Sequence, residues 1–325
     1  MEWSRRLRDD TRQAGRRASA DVTVVIPSYK ALHTIKRAVS SILSQQGVSV
    51  RVVVVIDDGC LETEALVRGL GDRNVDVLVN ETNQGAQVSR NRGLAIAESP
   101  YIMFLDSDDY VEGPLLRGLV DVCSAVNADL GFGPWRKVGM GTHWPSRRLR
   151  PDTPDKLVHR WLVEAEWVPP CAILWRTQFV LHIGGWDEAL KRNQDGEIAL
   201  RAIIEGAKLA FSDKGEGLYY QHESEHRITK SQLNYDSLVR VAEKLLSLQG
   251  GDAPSRRATI AQYLYLIASG AFRRGNTALG MRALERSREL GFRGHLGSKL
   301  ARLGSTLMGP ERYHRWAQKL KPRTN

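Results

Sequence analysis

A cluster of carboxylates follows a short apolar run in the segment Tyr101-Ile-Met-Phe-Leu-Asp-Ser-Asp-Asp-Tyr110. The acidic residues are Asp106, Asp108 and Asp109. Alternate residues of an extended segment point the same way, so Asp106 and Asp108 can face one ligand. Carboxylates this close repel one another unless a cation or hydrogen-bond donors compensate, and proteins usually hold Mg²⁺ or Mn²⁺ with one or two carboxylates plus substrate phosphates. The pattern therefore predicts a divalent-cation site, and the alternative is an acidic turn that only caps the next helix.

Segments rich in β-branched residues alternate with segments of helical periodicity up to this run. Strands are predicted at 22–26, 50–56, 75–79 and 101–105, and helices at 33–46, 61–70 and 83–97. This alternation indicates right-handed βαβ units and a mainly parallel sheet that is covered on both faces. Ligands of such sheets bind beyond the carboxyl ends of the strands, so the acidic pair that ends the second strand is predicted to share a rim with the acidic run. That pair is Asp57 and Asp58.

The chain is long enough to bury a sizeable core. Its 325 residues are 42% hydrophobic and 26% charged, which favours one large domain with an appendage. It has no apolar run long enough to span a bilayer, and the first 20 residues hold no apolar core for a secretory signal, so we expect a soluble cytoplasmic protein. The cysteines, Cys60, Cys123 and Cys171, form no CxxC pair, which favours a reducing compartment and argues against structural zinc.

The formal net charge of +10 is concentrated at the two ends of the chain. Lys and Arg set against Asp and Glu give +3 for residues 1–20, −4 for 21–230 and +11 for 231–325. A basic tail allows a nucleic-acid-binding interpretation, yet this tail has no zinc-finger spacing, no RNP-type aromatic motif and no recognisable reading helix. An anionic membrane surface, or solubility alone, explains the charge as well.

Five short blocks of sequence occur in a defined order along the chain. They are Val-Ile-Pro-Ser-Tyr (25–29), Val-Ile-Asp-Asp-Gly (55–59), Asn-Gln-Gly (83–85) with Ser-Arg-Asn-Arg-Gly-Leu (89–94), Phe-Leu-Asp-Ser-Asp-Asp (104–109), and Gly-Gly-Trp-Asp-Glu (184–188) followed by Gln194-Asp195. In order and spacing they resemble the successive blocks of family 2 glycosyltransferases, over roughly residues 22–230. One block alone would be a weak signal, whereas five in sequence make chance a poor explanation.

The resemblance implies a GT-A fold, which is an α/β fold with a mainly parallel central sheet. It implies a catalytic domain over residues 21–230, with a donor half at 21–112 and an acceptor half at 113–230. Such an enzyme moves a sugar with inversion from a nucleotide-diphosphate sugar to a hydroxyl acceptor on a glycan, a polysaccharide or a lipid-linked molecule.

The resemblance also assigns roles on the donor side. Asp108 would hold a divalent cation, Mn²⁺ or Mg²⁺, and His222 matches the place of a histidine that often completes the metal shell. Asp106 would contact the nucleotide ribose or share the metal. Further donor-binding candidates are Pro27, Tyr29, Asp57, Asp58 and Arg90.

On the acceptor side, Asp195 is the candidate general base, since it follows the Gly-Gly-Trp-Asp-Glu block and opens a predicted helix. A helix N-terminus would keep its carboxylate charged and ready to accept a proton. The alternative is that Asp195 is only an N-cap. Trp186 is the candidate platform for stacking on a sugar, and Asp187 and Glu188 are further acceptor-side candidates.

Two residues depart from the family pattern: Cys60 replaces the usual serine, and Gln194 replaces the glutamate before Asp195. Neither change touches the acidic candidates. A catalytically inactive sugar-binding module is the alternative from another class, although Asp106, Asp108 and Asp195 are all present. A nucleotidyltransferase would normally carry a glycine-rich phosphate loop after the first strand, where this chain has Pro-Ser-Tyr-Lys.

The remaining segments are predicted to lie outside the catalytic domain. Residues 1–20 read as a loose basic arm and residues 231–325 as a basic helical region. A helix pair broken at Gly275 is followed by leucines at helical spacing, a Gly309-Pro310 break, and a basic aromatic end with Trp316. This end suits peripheral contact with an anionic membrane at the inner face of the cell membrane, and packing on the catalytic domain or on a partner protein is the alternative.

Overall fold

The computed structural model describes residues 20–142, 144–221 and 235–319, which group into two compact units. The first unit draws on Met1–Pro151, Val168–Glu188 and Ala207–Glu223, and the second on Asp152–Trp167, Ala189–Gly206 and Ser224–Asn325. Segments 152–167 and 189–206, which the sequence assigns to the catalytic domain, are therefore grouped with the C-terminal helices. The domain boundary at residue 230 stays a prediction.

A seven-stranded sheet forms the centre of the first unit. Across the sheet its strands run β3 (Val75–Val79), β2 (Val50–Ile56), β1 (Val22–Ser28), β4 (Tyr101–Phe104), β8 (Ile173–Arg176), β6 (Leu130–Phe132) and β9 (Leu209–Phe211). The first four are mutually parallel, and β8 is antiparallel to both of its neighbours. The valine and isoleucine runs of β1 and β2 are buried, as a sheet covered on both faces requires. The predicted α/β class is confirmed.

A smaller sheet and several helices complete the first unit. The sheet places β10 (Glu216–Tyr220) between β5 (Tyr110–Glu112) and β7 (Trp135–Val138). The helices are α1 (Ile35–Leu43), α2 (Leu61–Arg68), α3 (Ala86–Ala95), α4 (Leu115–Val126) and α6 (Thr177–His182). The apolar positions of α1 that the periodicity marks, among them Ile35, Val39 and Ile42, are buried in the core beside β1 and β2.

Strand register decides where the acidic residues emerge. Ser28 of β1 pairs with Ile56 of β2, and Val25 of β1 pairs with Phe104 of β4. Asp106 follows the end of β4 by two residues, and Asp57 follows the end of β2 by one. The acidic residues of both strands therefore share the carboxyl edge of the sheet.

The described part of the second unit is helical. Its helices are α5 (Pro154–Leu162), α7 (Gln194–Ile204), α8 (Tyr235–Ser247), α9 (Pro254–Arg273), α10 (Thr277–Glu289), α11 (Lys299–Met308) and α12 (Pro310–Lys319). The predicted break at Gly275 separates α9 from α10, and its φ of 78° is a left-handed conformation that glycine adopts without steric cost. Gly309, with φ of 80°, separates α11 from α12 in the same way. Among the described helices, none is both long enough and apolar enough to cross a membrane.

A buried ion network ties α7 to α8 in this unit. The Glu197 side chain is fully buried, and its carboxylate accepts hydrogen bonds from Arg201 Nε at 2.6 Å and Arg201 Nη2 at 3.0 Å. Lys244 Nζ of α8 lies 3.0 Å from the same carboxylate. Since an unpaired buried carboxylate would be very costly, the two cations fix the position of Glu197 and with it the first turns of α7.

Replacing Gly93 with alanine is expected to destabilise the first unit. Gly93 lies in α3, and a Cβ there would come within 2.7 Å of Val25 Cγ2 and closer still to Val25 Cγ1 in β1. Overpacking of this kind costs about 1–3 kcal/mol. We expect Gly93→Ala to lower the free energy of unfolding by that amount in urea denaturation.

The matched control is the same substitution in a Val25→Ala background, which removes both clashing methyl groups. There Gly93→Ala should cost little, so the double-mutant cycle should show a coupling of about 1–2 kcal/mol. Equal costs in the two backgrounds would mean that α3 moves off the strand easily, contrary to this prediction.

Candidate functional site

The acidic run after β4 forms a compact cluster. One carboxylate oxygen from each of Asp106, Asp108 and Asp109 lies within 4.8 Å of the others. Asp106 and Asp108 are partly exposed, whereas Asp109 is buried and its Oδ1 accepts the Tyr220 N–H at 2.8 Å. Asp109 thus anchors the acidic loop to the end of β10, and its two neighbours remain within reach of a ligand.

The electrostatics of this cluster favour a bound cation. The pKa of the Asp109 carboxyl lies well above its usual value, because burial removes water from it and because Asp108 and Asp106 add negative charge nearby. Burial and the same carboxylates raise the pKa of the Cys171 thiol. Closely spaced carboxylate oxygens are the ligands that Mg²⁺ or Mn²⁺ prefers, so these residues fit the predicted divalent cation.

Arg90 is the charged partner of the cluster. It is buried in α3 and its Nη2 donates to Asp106 Oδ1. Its guanidinium carbon lies 4.2 Å from the centroid of the Trp186 ring, a cation–π arrangement. Among the described residues, the Nε and Nη1 atoms of Arg90 are buried and have no hydrogen-bond partner. Buried donors left unpaired are costly, so Arg90 retains capacity to bind oxygen atoms of a ligand.

Trp186 does not present an open indole face. Its side chain is buried with 3% exposure, and its ring meets Phe104 edge-on at 5.1 Å between centroids in addition to Arg90. A ring in this position holds the Arg90 guanidinium in place and leaves no face for a sugar to stack upon. Trp186, which the sequence predicts as a stacking platform for an acceptor sugar, therefore supports Arg90 in this structure.

Asn91 fastens the Gly-Gly-Trp-Asp-Glu loop to α3, a role that the sequence pattern does not reveal. Asn91 Oδ1 accepts the Trp186 N–H at 2.9 Å, while Asn91 Nδ2 donates to the Trp186 carbonyl and to Glu188 Oε1, each at 2.9 Å. Gly185 permits the approach, since a Cβ there would come within 2.7 Å of Asn91 Oδ1. Asp187 is partly exposed and Glu188 exposed, so both can meet an acceptor.

The two aspartates after β2 differ in surroundings. Asp57 is buried, and its carboxylate accepts hydrogen bonds from Asn80 Nδ2 at 2.7 Å, the Gln84 N–H at 2.8 Å and the Gly85 N–H at 2.8 Å. These donors use most of what a carboxylate can accept, so Asp57 mainly positions the loop before α3. Asp58 is partly exposed. Its Oδ2 accepts a hydrogen bond from the Lys30 N–H at 2.7 Å, and its Oδ1 accepts a longer one from the Cys60 N–H at 3.2 Å.

The remaining donor-side candidates lie at the end of β1. Pro27 is buried within the strand, opposite Val55 of β2, so it contributes a wall and no polar group. Tyr29 follows the strand with 46% exposure, and Lys30 Nζ lies 5.3 Å from the centroid of its ring. Tyr29 can therefore offer a ring face to a planar ligand.

Arg37 supports the acidic loop from α1, and sequence reasoning missed it. Its guanidinium carbon lies 4.3 Å from the Tyr110 ring centroid and 4.5 Å from that of Tyr220. Its Nη2 donates to the backbone carbonyl of Asp108 at 2.7 Å. Nothing local marks this arginine, because its partners come from strands far along the chain.

Asp195 lies in the second unit as the second residue of α7. The N-cap is Asn193, with φ of 58°, so the N-cap alternative does not hold for Asp195. Asp195 is partly exposed and sits within the first turn, where the helix dipole favours a negative charge. His222, the predicted additional metal ligand, lies outside the described residues.

Comparison with known proteins relates the residues of this site to a protein family. Residues 23–179 match the profile described as Glycosyl transferase family 2, and this segment spans β1 to β4 with the acidic cluster and Arg90. This segment of the chain is therefore similar to the family 2 glycosyltransferases. The resemblance drawn from the five sequence blocks is confirmed at the level of the family.

Curated relatives each match a part of this chain. Succinoglycan biosynthesis protein ExoO of Rhizobium meliloti is 39% identical over 110 residues, which is 34% of this chain and 32% of the relative. UDP-Glc:alpha-D-GlcNAc-diphosphoundecaprenol beta-1,3-glucosyltransferase WfgD of Escherichia coli is 39% identical over 88 residues, which is 27% of this chain and 35% of the relative. The chain thus spans about a third of the length of these relatives.

Solved structures match over nearly the whole chain. TarS 1-349 of S. aureus in complex with UDP-GlcNAc has a TM-score of 0.67 at 20% identity, covering 92% of this chain and 90% of that one. The mannosyltransferase PcManGT of Pyrobaculum calidifontis, in complex with GDP-Man and Mn²⁺, has a TM-score of 0.58 at 15% identity, covering 98% of this chain and 90% of that one. At these identities the likeness concerns the fold, and the predicted GT-A fold is confirmed.

Substitution of Asp57 is expected to cost more stability than substitution of Asp58. An asparagine at 57 would turn an amide N–H toward one of the donors that the carboxylate now accepts, leaving a buried N–H without an acceptor. We expect Asp57→Asn to lower the free energy of unfolding by about 1–3 kcal/mol. The matched substitution Asp58→Asn should cost less than half as much in the same urea titration, since Asp58 is partly exposed.

Asp58→Asn is expected to weaken nucleotide binding more than Asp57→Asn does, which is the reverse of their effects on stability. If Asp58 contacts the donor, Asp58→Asn weakens nucleotide binding while the fold stays intact. Equal loss of stability in both variants would remove the distinction between a loop-positioning and a ligand-facing aspartate.

Proposed function

We propose that this protein is an inverting, metal-dependent glycosyltransferase that moves a sugar from a nucleotide-diphosphate sugar to a hydroxyl acceptor. The observation that carries the proposal is the acidic cluster Asp106, Asp108 and Asp109 at the carboxyl edge of a parallel sheet, with buried Arg90 beside it. The match of residues 23–179 to the family 2 profile and the GT-A fold support a glycosyltransferase. The reaction's inversion and its metal dependence belong to the proposal.

Asp108 is the proposed principal ligand of a divalent cation, with Asp106 and His222 as further candidates. When bound, Mn²⁺ or Mg²⁺ would neutralise the negative charge that develops on the leaving diphosphate. Asp109 fixes the loop through the Tyr220 N–H, and Arg37 fixes it through the Asp108 carbonyl. These contacts hold the backbone at Asp108 and Asp109 in place, and preorganisation of this kind is what electrostatic catalysis requires.

The donor nucleotide is proposed to lie along the edge formed by β1, β2 and β4. The Asp58 carboxylate would accept hydrogen bonds from a ring N–H or from ribose hydroxyls, and Tyr29 would cover the base. Arg90 has unused N–H groups beside Asp106 and would bind oxygen atoms of the diphosphate or of the sugar. Pro27 would close one wall of the pocket.

Asp195 is proposed as the general base that takes the proton from the acceptor hydroxyl. Its place in the first turn of α7 favours the charged form of its carboxylate. Asp187 and Glu188, which precede it on the partly exposed loop held by Asn91, are proposed to contact the acceptor.

The acceptor is proposed to be a hydroxyl of a glycan or of a lipid-linked sugar, met at the cytoplasmic face of the cell membrane. The relative WfgD is named as a glucosyltransferase that acts on GlcNAc-diphosphoundecaprenol, and the relative ExoO as a succinoglycan biosynthesis protein. Acceptors of this kind would require the enzyme to work at a lipid surface without spanning it.

The proposed metal dependence gives the first functional test. We expect Mn²⁺ or Mg²⁺ together with one of UDP, GDP, dTDP or CMP to raise the melting temperature, because a ligand that binds only the folded state stabilises it. Asp108→Asn should abolish both the shift and the transfer while leaving the ligand-free melting temperature near that of the wild type. The exposed Asp252→Asn, in the second unit, is the matched control and should behave as the wild type.

Full transfer activity in excess EDTA, or in Asp108→Asn, would overturn the metal assignment. Binding of a nucleotide sugar with no transfer to any hydroxyl would favour the inactive binding module instead. Nuclear magnetic resonance of the product gives the anomeric configuration, and retention would contradict the inverting mechanism.

The base assignment predicts a loss of rate with no loss of fold. Asp195→Asn keeps the size and one oxygen of the side chain but cannot accept the proton, so transfer should fall by about 10²-fold or more. Melting temperature and nucleotide binding should not change, because Asp195 is partly exposed and is not the N-cap residue of α7. Asp187→Asn is the control on the acceptor side and should mainly raise the KM for the acceptor. If Asp195→Asn transfers at a near wild-type rate, the base is elsewhere, and Asp187 or Glu188 becomes the next candidate.

A further inference from the structure

The outward side of α11 carries a stripe of leucines. Leu300, Leu303 and Leu307 are 75%, 58% and 75% exposed, and spacings of three and four residues put them on one side of the helix. The opposite side is made of small residues, where Ser305 is 1% exposed and Ala301 is partly buried. An amphipathic helix of a globular unit normally turns its leucines inward, and α11 does the reverse.

The next helix adds aromatic rings beside this stripe. The Tyr313 ring of α12 packs against Gly304 of α11, at a position where any Cβ would collide with it. The Trp316 ring lies 6.2 Å from the Tyr313 ring between centroids, and its side chain is 51% exposed. Indole and phenol rings, with an apolar body and a polar tip, suit the boundary between lipid and water.

Basic side chains border the leucines. Lys299 and Arg302 lie on the exposed side of α11, and Arg312 is exposed at the start of α12. Residues 295–319 contain five Lys and Arg residues and a single acidic residue, Glu311. An exposed apolar stripe with a cationic border is complementary to a surface that is apolar inside and anionic at its rim.

We propose that Leu300, Leu303, Leu307 and Trp316, here called the leucine face, dock this protein peripherally on an anionic lipid bilayer. The leucines and the indole would enter the headgroup boundary, while Lys299, Arg302 and Arg312 contact lipid phosphates. The proposal rests on the exposed surface of the second unit and does not depend on the transfer chemistry proposed above.

A second copy of the chain fits this surface less well. Pairing two leucine faces would bring the cationic borders together, and like charges repel. Stable protein interfaces use about 20–30 residues on each side, whereas this face offers four apolar side chains. A bilayer requires no such extensive matching surface, because insertion depends on the apolar area and on the attraction of the basic residues.

The test is co-sedimentation of the full chain with sonicated vesicles, either phosphatidylcholine alone or phosphatidylcholine with about one third phosphatidylglycerol. We expect binding to the anionic vesicles that weakens between about 0.1 M and about 0.5 M salt, and little binding to the neutral ones. Leu300→Asp with Leu307→Asp should reduce the binding constant by about tenfold or more, and Lys299→Glu with Arg302→Glu should do so only for the anionic vesicles.

Matched controls lie on the first unit. Leu61 is 77% exposed on α2, so Leu61→Asp changes an equally exposed leucine outside the face and should leave vesicle binding unchanged. Lys36→Glu on α1 is the corresponding charge control. Thermal melting confirms that every variant is folded, and donor-nucleotide binding should be the same in all of them.

Wild-type binding that survives the Leu300 and Leu307 changes would overturn the proposal, as would equal binding to neutral and anionic vesicles or no binding to either. A wild-type dimer in light scattering that becomes monomeric in the leucine variant, without vesicle binding, would assign the face to self-association and also overturn it. A failure of the metal and base tests above, with vesicle binding intact, would leave this inference standing.

Discussion

Negative charge at the end of a buried strand is the constraint on which the first unit depends. Strand β4 is buried along its length, and within five residues of its end the chain places Asp106, Asp108 and Asp109. Their oxygens lie within 4.8 Å of one another, and an apolar sheet below them offers no solvation. The protein compensates in part with Arg90 on Asp106 and the Tyr220 N–H on Asp109. Carboxylates this close still favour a cation between them, and we infer that binding a cation is the functional property of this edge.

Much of the surrounding structure serves to hold that compensation in place. Arg90 is fixed from one side by the Trp186 ring, and Trp186 is fixed through its backbone by Asn91, the next residue along α3. Gly93, one turn further on, lets α3 lie directly against β1. A single helix therefore supplies the charge partner of the acidic cluster, the hydrogen bonds that hold the Gly-Gly-Trp-Asp-Glu loop, and the contact with the sheet. Motion of α3 would disturb all three together, which is why its packing matters for chemistry as well as for stability.

The sequence predicts those features that are written in neighbouring residues. Periodicity and β-branched runs place β2 at Val50–Ile56 and β3 at Val75–Val79 without error, and the helix break at Gly275 follows from one residue. Strand ends and their acidic residues follow from the same local pattern. The inward turn of Trp186, the stacking of Arg37 between Tyr110 and Tyr220, and the grouping of residues 152–167 with the C-terminal helices depend on contacts between distant segments. No short-range pattern encodes such contacts, so they could not be predicted from sequence alone.

One arrangement recurs at three groups of acidic residues and explains why local sequence does not separate their roles. Asp57 is buried and anchors the backbone of Gln84 and Gly85, and its neighbour Asp58 is partly exposed. Asp109 is buried on the Tyr220 N–H, and its neighbour Asp108 is partly exposed. In the second unit, Glu197 is buried on Arg201 and Lys244, and Asp195, two residues before it, is partly exposed. In each case a buried acid with fixed partners holds the backbone. The nearby acid is therefore positioned by that backbone while its own carboxylate stays partly exposed to solvent. Chemically the two members of a pair are almost identical, and only burial separates the residue that builds the site from the residue that can act in it.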